Sequence, residues 1–212
     1  MNSPTRHNTH APVATRRERR RSRFVLVGGV LGLTGSVTVV LADVAGWALA
    51  DEHNPVRETI SRLSVGDRSW IQDVGLNAFA AGLVGIALGV LAGGEKTLRE
   101  RAGAAGLGVL ALDIVALSEL SRFDDTSHQF GVIHDAAVLV LYLLFAATAW
   151  LLARPLARRA RGMTRRSTGL GVLWLVGGPL YRFVTRPSTD GLWERFLAMV
   201  LVSWVVLASA SL

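Results

Sequence analysis

The chain has no cysteine among its 212 residues. That absence removes disulfide scaffolds, thiolate zinc sites, iron–sulfur clusters and cysteine nucleophiles together. Charge is scarce as well: Asp, Glu, Lys and Arg make up 18%, against about 25% in a soluble domain. Lysine is almost missing, since Lys96 is the one lysine among 23 basic residues. We read this as the base composition of a high-GC bacterial genome, not as chemistry. There is no G-x-S-x-G nucleophile elbow and no H-x-x-x-H or H-E-x-x-H spacing.

Apolar residues are abundant. They make up half the chain, the mean hydropathy is +0.38, and they fall in long blocks. A bilayer core of about 30 Å needs roughly 20 apolar helical residues. Six segments meet or approach this: 24–50, 71–92, 102–120, 130–152, 168–184 and 192–211. The fifth is the shortest, and Gly177-Gly178-Pro179 interrupts it. The expectation is an all-α integral membrane bundle of six transmembrane helices over residues 23–212. A disordered basic tail, residues 1–22, precedes it.

A net charge of +7 would suggest nucleic acid if it lay on one folded surface. Its placement says otherwise. The tail and the second and fourth loops hold 16 basic residues, and the opposite side holds 7. Basic residues mark the cytoplasmic side. Both termini are therefore expected in the cytoplasm, in a multi-pass protein of the cell membrane, with the lipid bilayer as partner and no nucleic acid. Trp47, Trp70 and Trp193 fall at the outer interface and Trp150 at the inner one, as an aromatic belt would. Arg20-Arg21 ahead of an apolar run imitates a signal peptide, but the run is nearly twice a signal's length.

Gly28, Gly32 and Ser36 recur every four residues, as do Ala81, Gly85 and Gly89. Such spacing allows close helix approach. It serves either a tight bundle or a homodimer face.

Acidic residues are more one-sided than basic ones: 13 of 16 lie in outer loops or within spans. Topology does not require this. Asp113 sits near the middle of the third span, where an ionised carboxylate costs on the order of 3 kcal/mol. Asp43, Asp73 with Asn77, His134 with Asp135, and Glu194 with Arg195 sit in the outer halves of other spans. Turned inward, they would line a polar cup open to the outside, with Asp113, His134 and Arg195 converging in one cavity. Asp73, Asp113 and Arg195 are the candidate ligand-binding residues. His134, Asp124 and Ser61 are the candidates for acid–base or nucleophilic chemistry. His53, His128 and His134, with Asp124, Asp125 and Asp135, are competent metal ligands, His128, His134 and Asp125 foremost, although no spacing places two imidazoles on one helical face.

The first outer loop reads as ordered. Asn54-Pro55 has the form of an N-cap followed by proline at the first helical position. Val56, Ile60 and Leu63 then recur at helical spacing and Gly66 ends the run. This predicts a short amphipathic helix on the outer interface. Ser69-Trp70-Ile71-Gln72 reads as a capping box for the second span.

Three stretches resemble a bacterial multi-pass membrane family, domain-of-unknown-function 998. "NPVRETISRLSVGDRSWIQDVG" is similar to its first-loop pattern, with Pro55, Ile60, Ser61, Leu63 and Trp70 at the matching positions. "RFDDTSHQFGVIHDAA" resembles its turn ahead of the fourth span, through Phe123, Asp124 or Asp125, and His134. "GLWERFLAMVLVSWVVLA" resembles the start of its last helix, through Gly191 and Arg195. The resemblance covers about residues 24–212 and implies a helical membrane fold. It brings no reaction and no cofactor. In this chain the third loop departs from the pattern, with two adjacent aspartates and an added His128.

Three function classes follow. The first is a protein whose cup binds an amphiphile, a lipid head group or a cation. The second is an outer-leaflet enzyme, possible as a metal-assisted hydrolase, using His134 and nearby carboxylates. The third is a small-solute or proton-coupled transporter with Asp113 titrating.

Overall fold

The computed structural model describes residues 15–50, 53–121 and 128–212. It contains six long helices: α1 (Arg16–Leu49), α2 (Ser69–Gly93), α3 (Leu98–Ser121), α4 (His128–Ala157), α5 (Met163–Phe183) and α6 (Asp190–Ala210). There is no strand among the described residues. Five of the helices are long and apolar enough to cross a membrane: 18–49, 69–93, 98–121, 131–157 and 187–210. The protein is thus an all-α, multi-pass membrane protein. Helix α5 falls short in hydropathy because Arg165, Arg166 and four internal glycines dilute a 21-residue segment.

Each helix packs antiparallel on the next, and α6 returns against α1, closing a ring. Helix α6 also leans into the centre, where Trp204, Val205 and Ala208 are fully buried. Phe145 meets Trp204 and Trp174 edge-on there, at centroid distances of 5.7 and 4.9 Å. The exposed large residues are apolar instead, including Leu26, Val30, Val37 and Leu41 on α1 and Leu139 and Leu143 on α4. Helices surrounded by lipid take this form, because lipid tails do not drive apolar side chains inward.

Glycine sets the tightest contact. A Cβ at Gly28 would run into the carbonyl of Gly85, and one at Gly82 would lie 3.0 Å from the carbonyl of Leu31. The stripe seen in the sequence is therefore used within the chain, between α1 and α2. On α2 it runs through Gly75, Gly82, Gly85 and Gly89, while Ala81 is exposed.

The glycine–proline step in α5 does not break that helix. Pro179 has no N–H for the carbonyl of Leu175, and the hydroxyl of Tyr142 donates to that carbonyl at 2.5 Å. Gly178 makes room for the Tyr142 ring. A second polar chain ties three helices: Trp204 Nε1 donates to Ser167 Oγ, which donates to the carbonyl of Ala149, both at 2.7 Å.

Helix ends show why the chain turns where it does. Helix α1 starts at Arg16, inside the basic tail, on a capping box between Thr15 and Glu18. Thr97 and Glu100 cap α3 reciprocally, at 3.0 and 3.3 Å. Arg21 reaches from α1 to the carbonyls of Gly93 and Gly94 at the end of α2, where the helix dipole favours a cation. At its start α2 differs from expectation. Its N-cap is Arg68 without a side-chain bond, Ser69 is already helical, and Gln72 is buried. There is no capping box at 69–72.

Candidate functional site: the first loop and its arginine clamp

The loop after α1 folds back over the ends of α1, α2 and α6. No continuous amphipathic helix forms. Asn54 Oδ1 accepts from the amides of Val56 and Arg57, at 3.0 and 3.4 Å, and closes a local turn. A single 3₁₀ turn, Ser61–Ser64, follows and buries Leu63 and Ser64. The chain is diverted because its carbonyls serve another partner: those of Pro55 and Glu58 each accept from Arg195 Nη1 at 2.8 Å.

Arg195, one turn into α6, holds this assembly together. Its Nε donates to Asp43 Oδ2 on α1 at 3.0 Å. Its Nη1 also donates to the carbonyl of Gly191, at 3.2 Å. The pair is mostly buried, with Arg195 15% and Asp43 20% exposed. A Cβ at Gly191 would strike the carbonyl of Glu58, so only glycine lets the loop come this close. The loop in turn serves the start of α6, since the amide of Leu192 donates to the carbonyl of Val56 at 3.0 Å. Glu194 accepts from the amide of Ile60 at 2.6 Å.

His53 and Glu58 complete the clamp. His53 Nδ1 lies 3.1 Å from Glu58 Oε2, and its Nε2 lies 3.4 Å from Arg195 Nη2. A guanidinium can only donate. Nε2 must therefore accept, and the imidazole carries its proton on Nδ1, directed at Glu58. Glu58 Oε2 also accepts from the amide of Asn54 at 2.8 Å. Burial holds the His53 pKa below its usual value, opposed by Glu58 and Asp43 and aided by Arg195 and Arg62.

Beside the clamp is a cleft of about 380 Å³. Gly46, Ala50, Leu63 and Val65 give it an apolar floor. Glu58, Arg62 and Arg68, with the neutral His53, give it a polar rim.

The structure distributes the expected site residues over several places. Arg195 is at the clamp, bonded to Asp43, His53 and loop carbonyls. Asp73 is buried and accepts from Ser118 Oγ at 2.7 Å, between α2 and α3. Ser61 pairs with Thr59, their hydroxyls 3.0 Å apart. Asp113 is half-buried in the middle of α3, with Oδ2 buried and unpartnered. His134 is half-buried near the start of α4. Neither Asp113 nor His134 is a partner of Arg195, and neither lines the cleft, so the three do not share one hydrogen-bonded site. Asp124, Asp125 and the side chain of His128 lie outside the described residues. Among the described residues no group of three His, Asp or Glu could hold a metal ion.

Glu58 is the functional candidate that site selection from sequence passed over; Asp43 was read only as a cup-lining residue and His53 only as a competent metal ligand. One signal was available: a glycine four residues before Arg195 frees the helix surface for an approaching backbone.

The family model described as "Protein of unknown function (DUF998)" matches residues 13–211. No curated protein and no solved structure matches the chain.

Proposed function

Because the chain belongs to the DUF998 family, which brings no reaction with it, we propose a function from the site alone: this is a membrane-resident binding protein whose first-loop cleft receives the head of a bilayer amphiphile. The observation that carries this is the cleft's division into an apolar floor and a polar rim. Its lining is evenly divided between apolar and polar residues, so one end of an amphiphile meets each. Leu49, Val65 and Trp70 are exposed around it. A tail can therefore stay in the bilayer while the head enters the cleft. The clamp fixes the cleft wall in advance, which lowers the ordering cost of binding.

In this reading all six helices cross the cell membrane and both termini are cytoplasmic. Helix α5, at about 1.5 Å per residue, is long enough to span, and its exposed side chains are apolar at Val172, Leu173, Leu175 and Val176. The clustering of 16 basic residues at one end supports the orientation. The cleft then faces the outer leaflet.

Val65→Trp and Ala50→Trp fill the cleft from its edge. Native mass spectrometry of the purified protein is expected to show a lipid retained by the parent and lost from both variants. Unchanged retention would remove the reading.

A second reading has one observation in its favour. The buried, unpartnered Asp113 oxygen supports a proton-coupled carrier. Asp113→Asn would then abolish proton uptake by reconstituted vesicles while leaving lipid retention intact.

A further inference from the structure

At the opposite end of the bundle, where α1 and α3 begin and α2 and α4 end, three arginines meet two carboxylates. Arg158 takes both acids: its Nη1 lies 2.6 Å from Glu95 Oε2 and 3.8 Å from Glu100 Oε1. Glu100 is buried, and its Oε2 also accepts from the amide of Thr97 at 3.0 Å. Arg21 spends its Nη2 on the carbonyls of Gly93 and Gly94, at 2.7 and 3.0 Å. Arg159 is left over. Its guanidinium rests on the same glycine, since a Cβ at Gly93 would strike Arg159 Nη2. Its Nη1 is buried without a hydrogen-bond partner, and among the described residues no carboxylate pairs with it. Burial lowers its pKa most, Glu100 raises it, and Arg21 lowers it again.

The remaining acid at this end, Glu18, caps α1 through Thr15. Residues 1–14, which lead into this end, hold no Asp or Glu. Asp51, Glu52, Asp124 and Asp125 follow the far ends of α1 and α3 in the chain. Two cations therefore converge on one glycine with a donor to spare. A buried guanidinium nitrogen without an acceptor is costly, and a bound anion would remove that cost. Depth indicates which anion. Gly93 is the last residue of the α2 span, and Arg21 lies three residues before Phe24, where the apolar run of α1 begins. That is the level of the lipid head groups, a layer of about 5–7 Å outside the hydrocarbon.

We infer that Arg159 and Arg21 form a site for the phosphate of an anionic lipid at the basic end of the bundle. Each guanidinium offers a planar fork to phosphate oxygens, and one bridging anion relieves the repulsion between the two. Basic pockets between membrane helices hold lipid head groups in this way. This site is separate from the first-loop cleft and stands without the amphiphile reading.

The test uses full-length protein in mild detergent, with and without Val65→Trp, which fills the first-loop cleft. Each is titrated with phosphatidylglycerol or phosphatidylcholine and read by native mass spectrometry. In both, one phosphatidylglycerol is expected to stay bound at about tenfold lower lipid concentration than phosphatidylcholine. Arg159→Gln is expected to erase that preference. Arg159→Lys, which keeps the charge without the fork, is expected to retain part of it. Arg21→Gln reads the same site at an exposed position and is expected to weaken the preference without disturbing a buried side chain. Arg165→Gln with Arg166→Gln removes two exposed cations from the same end and is expected to leave it intact.

Equal retention of the two lipids would overturn the inference. So would a loss of preference in the Arg165/Arg166 variant as large as in Arg159→Gln, which would assign it to diffuse charge. Displacement of phosphatidylglycerol by millimolar inorganic phosphate would make the ligand a free anion and overturn the lipid source. A preference present in the parent and absent from Val65→Trp would place the lipid in the first-loop cleft, overturning this site while supporting the amphiphile reading.

Discussion

Arg195 and Asp43 join the first turns of α6 to the last turns of α1 through an Nε–Oδ2 bond of 3.0 Å. The remaining guanidinium nitrogens hold the first loop by its carbonyls and face His53. One side chain thus closes the helix ring and shapes the cleft wall.

Removing it should loosen both. Arg195→Gln leaves Asp43 without its cation and is expected to cost about 3–5 kcal/mol, the usual penalty for breaking a buried pair. Arg195→Lys keeps the charge but not the fork, and should fall between the two. Thermal unfolding in detergent measures the cost, and limited proteolysis within residues 53–65 reports on the loop. Loop cleavage no faster than in the parent would contradict the clamp.

His53 makes the clamp sensitive to acid. Its folded pKa lies below the unfolded value, chiefly through burial. The unfolded chain therefore binds more protons in the window between the two values, and stability falls as pH drops. The contribution is complete above the unfolded value of about 6.5 and is lost as pH falls through the folded one. A protonated Nε2 would also point a second donor at Arg195. His53→Gln should flatten this part of the stability profile. An unchanged slope would assign it to other groups.

Tyr142 and Pro179 should behave as a coupled pair. Tyr142→Phe leaves the Leu175 carbonyl unpaired among apolar neighbours and should cost about 1–3 kcal/mol. In a Pro179→Ala background the helix supplies its own N–H, so the same change should cost less. A double-mutant cycle measures the difference, and strict additivity would argue against this role for the hydroxyl.

Two glycines should respond oppositely to alanine. Gly28→Ala drives a methyl into the Gly85 carbonyl and should destabilise by about 1–3 kcal/mol. Gly108 has nothing within 4 Å of an added Cβ, so Gly108→Ala should gain up to about 1 kcal/mol through helix propensity. Melting temperatures of the two variants check both signs.

The membrane class was legible because it depends on composition along the chain. Five apolar blocks recur as five long apolar helices, and the weak fifth segment is weak in the structure too. The small-residue stripe was legible as a packing surface. Its partner was not, because spacing alone does not say which helix, or which copy, fills a groove. The first loop was misread for a related reason. Val56, Ile60 and Leu63 fit a helical period, but a local pattern carries no information about an arginine more than a hundred residues away. Arg195 competes for the carbonyls that a helix would have used.

The sequence by itself determined the solvent and the number of long helices, since both follow from the cost of placing polar groups in hydrocarbon. Tertiary structure alone decided which polar groups meet. Arg195 took Asp43 and the loop, while Asp73 took Ser118. Asp113 remains half-buried in α3 with one oxygen unpartnered. Hydrogen bonds need atoms within about 3 Å, and distances between helices are set by packing around glycines and the central tryptophans, not by order along the chain.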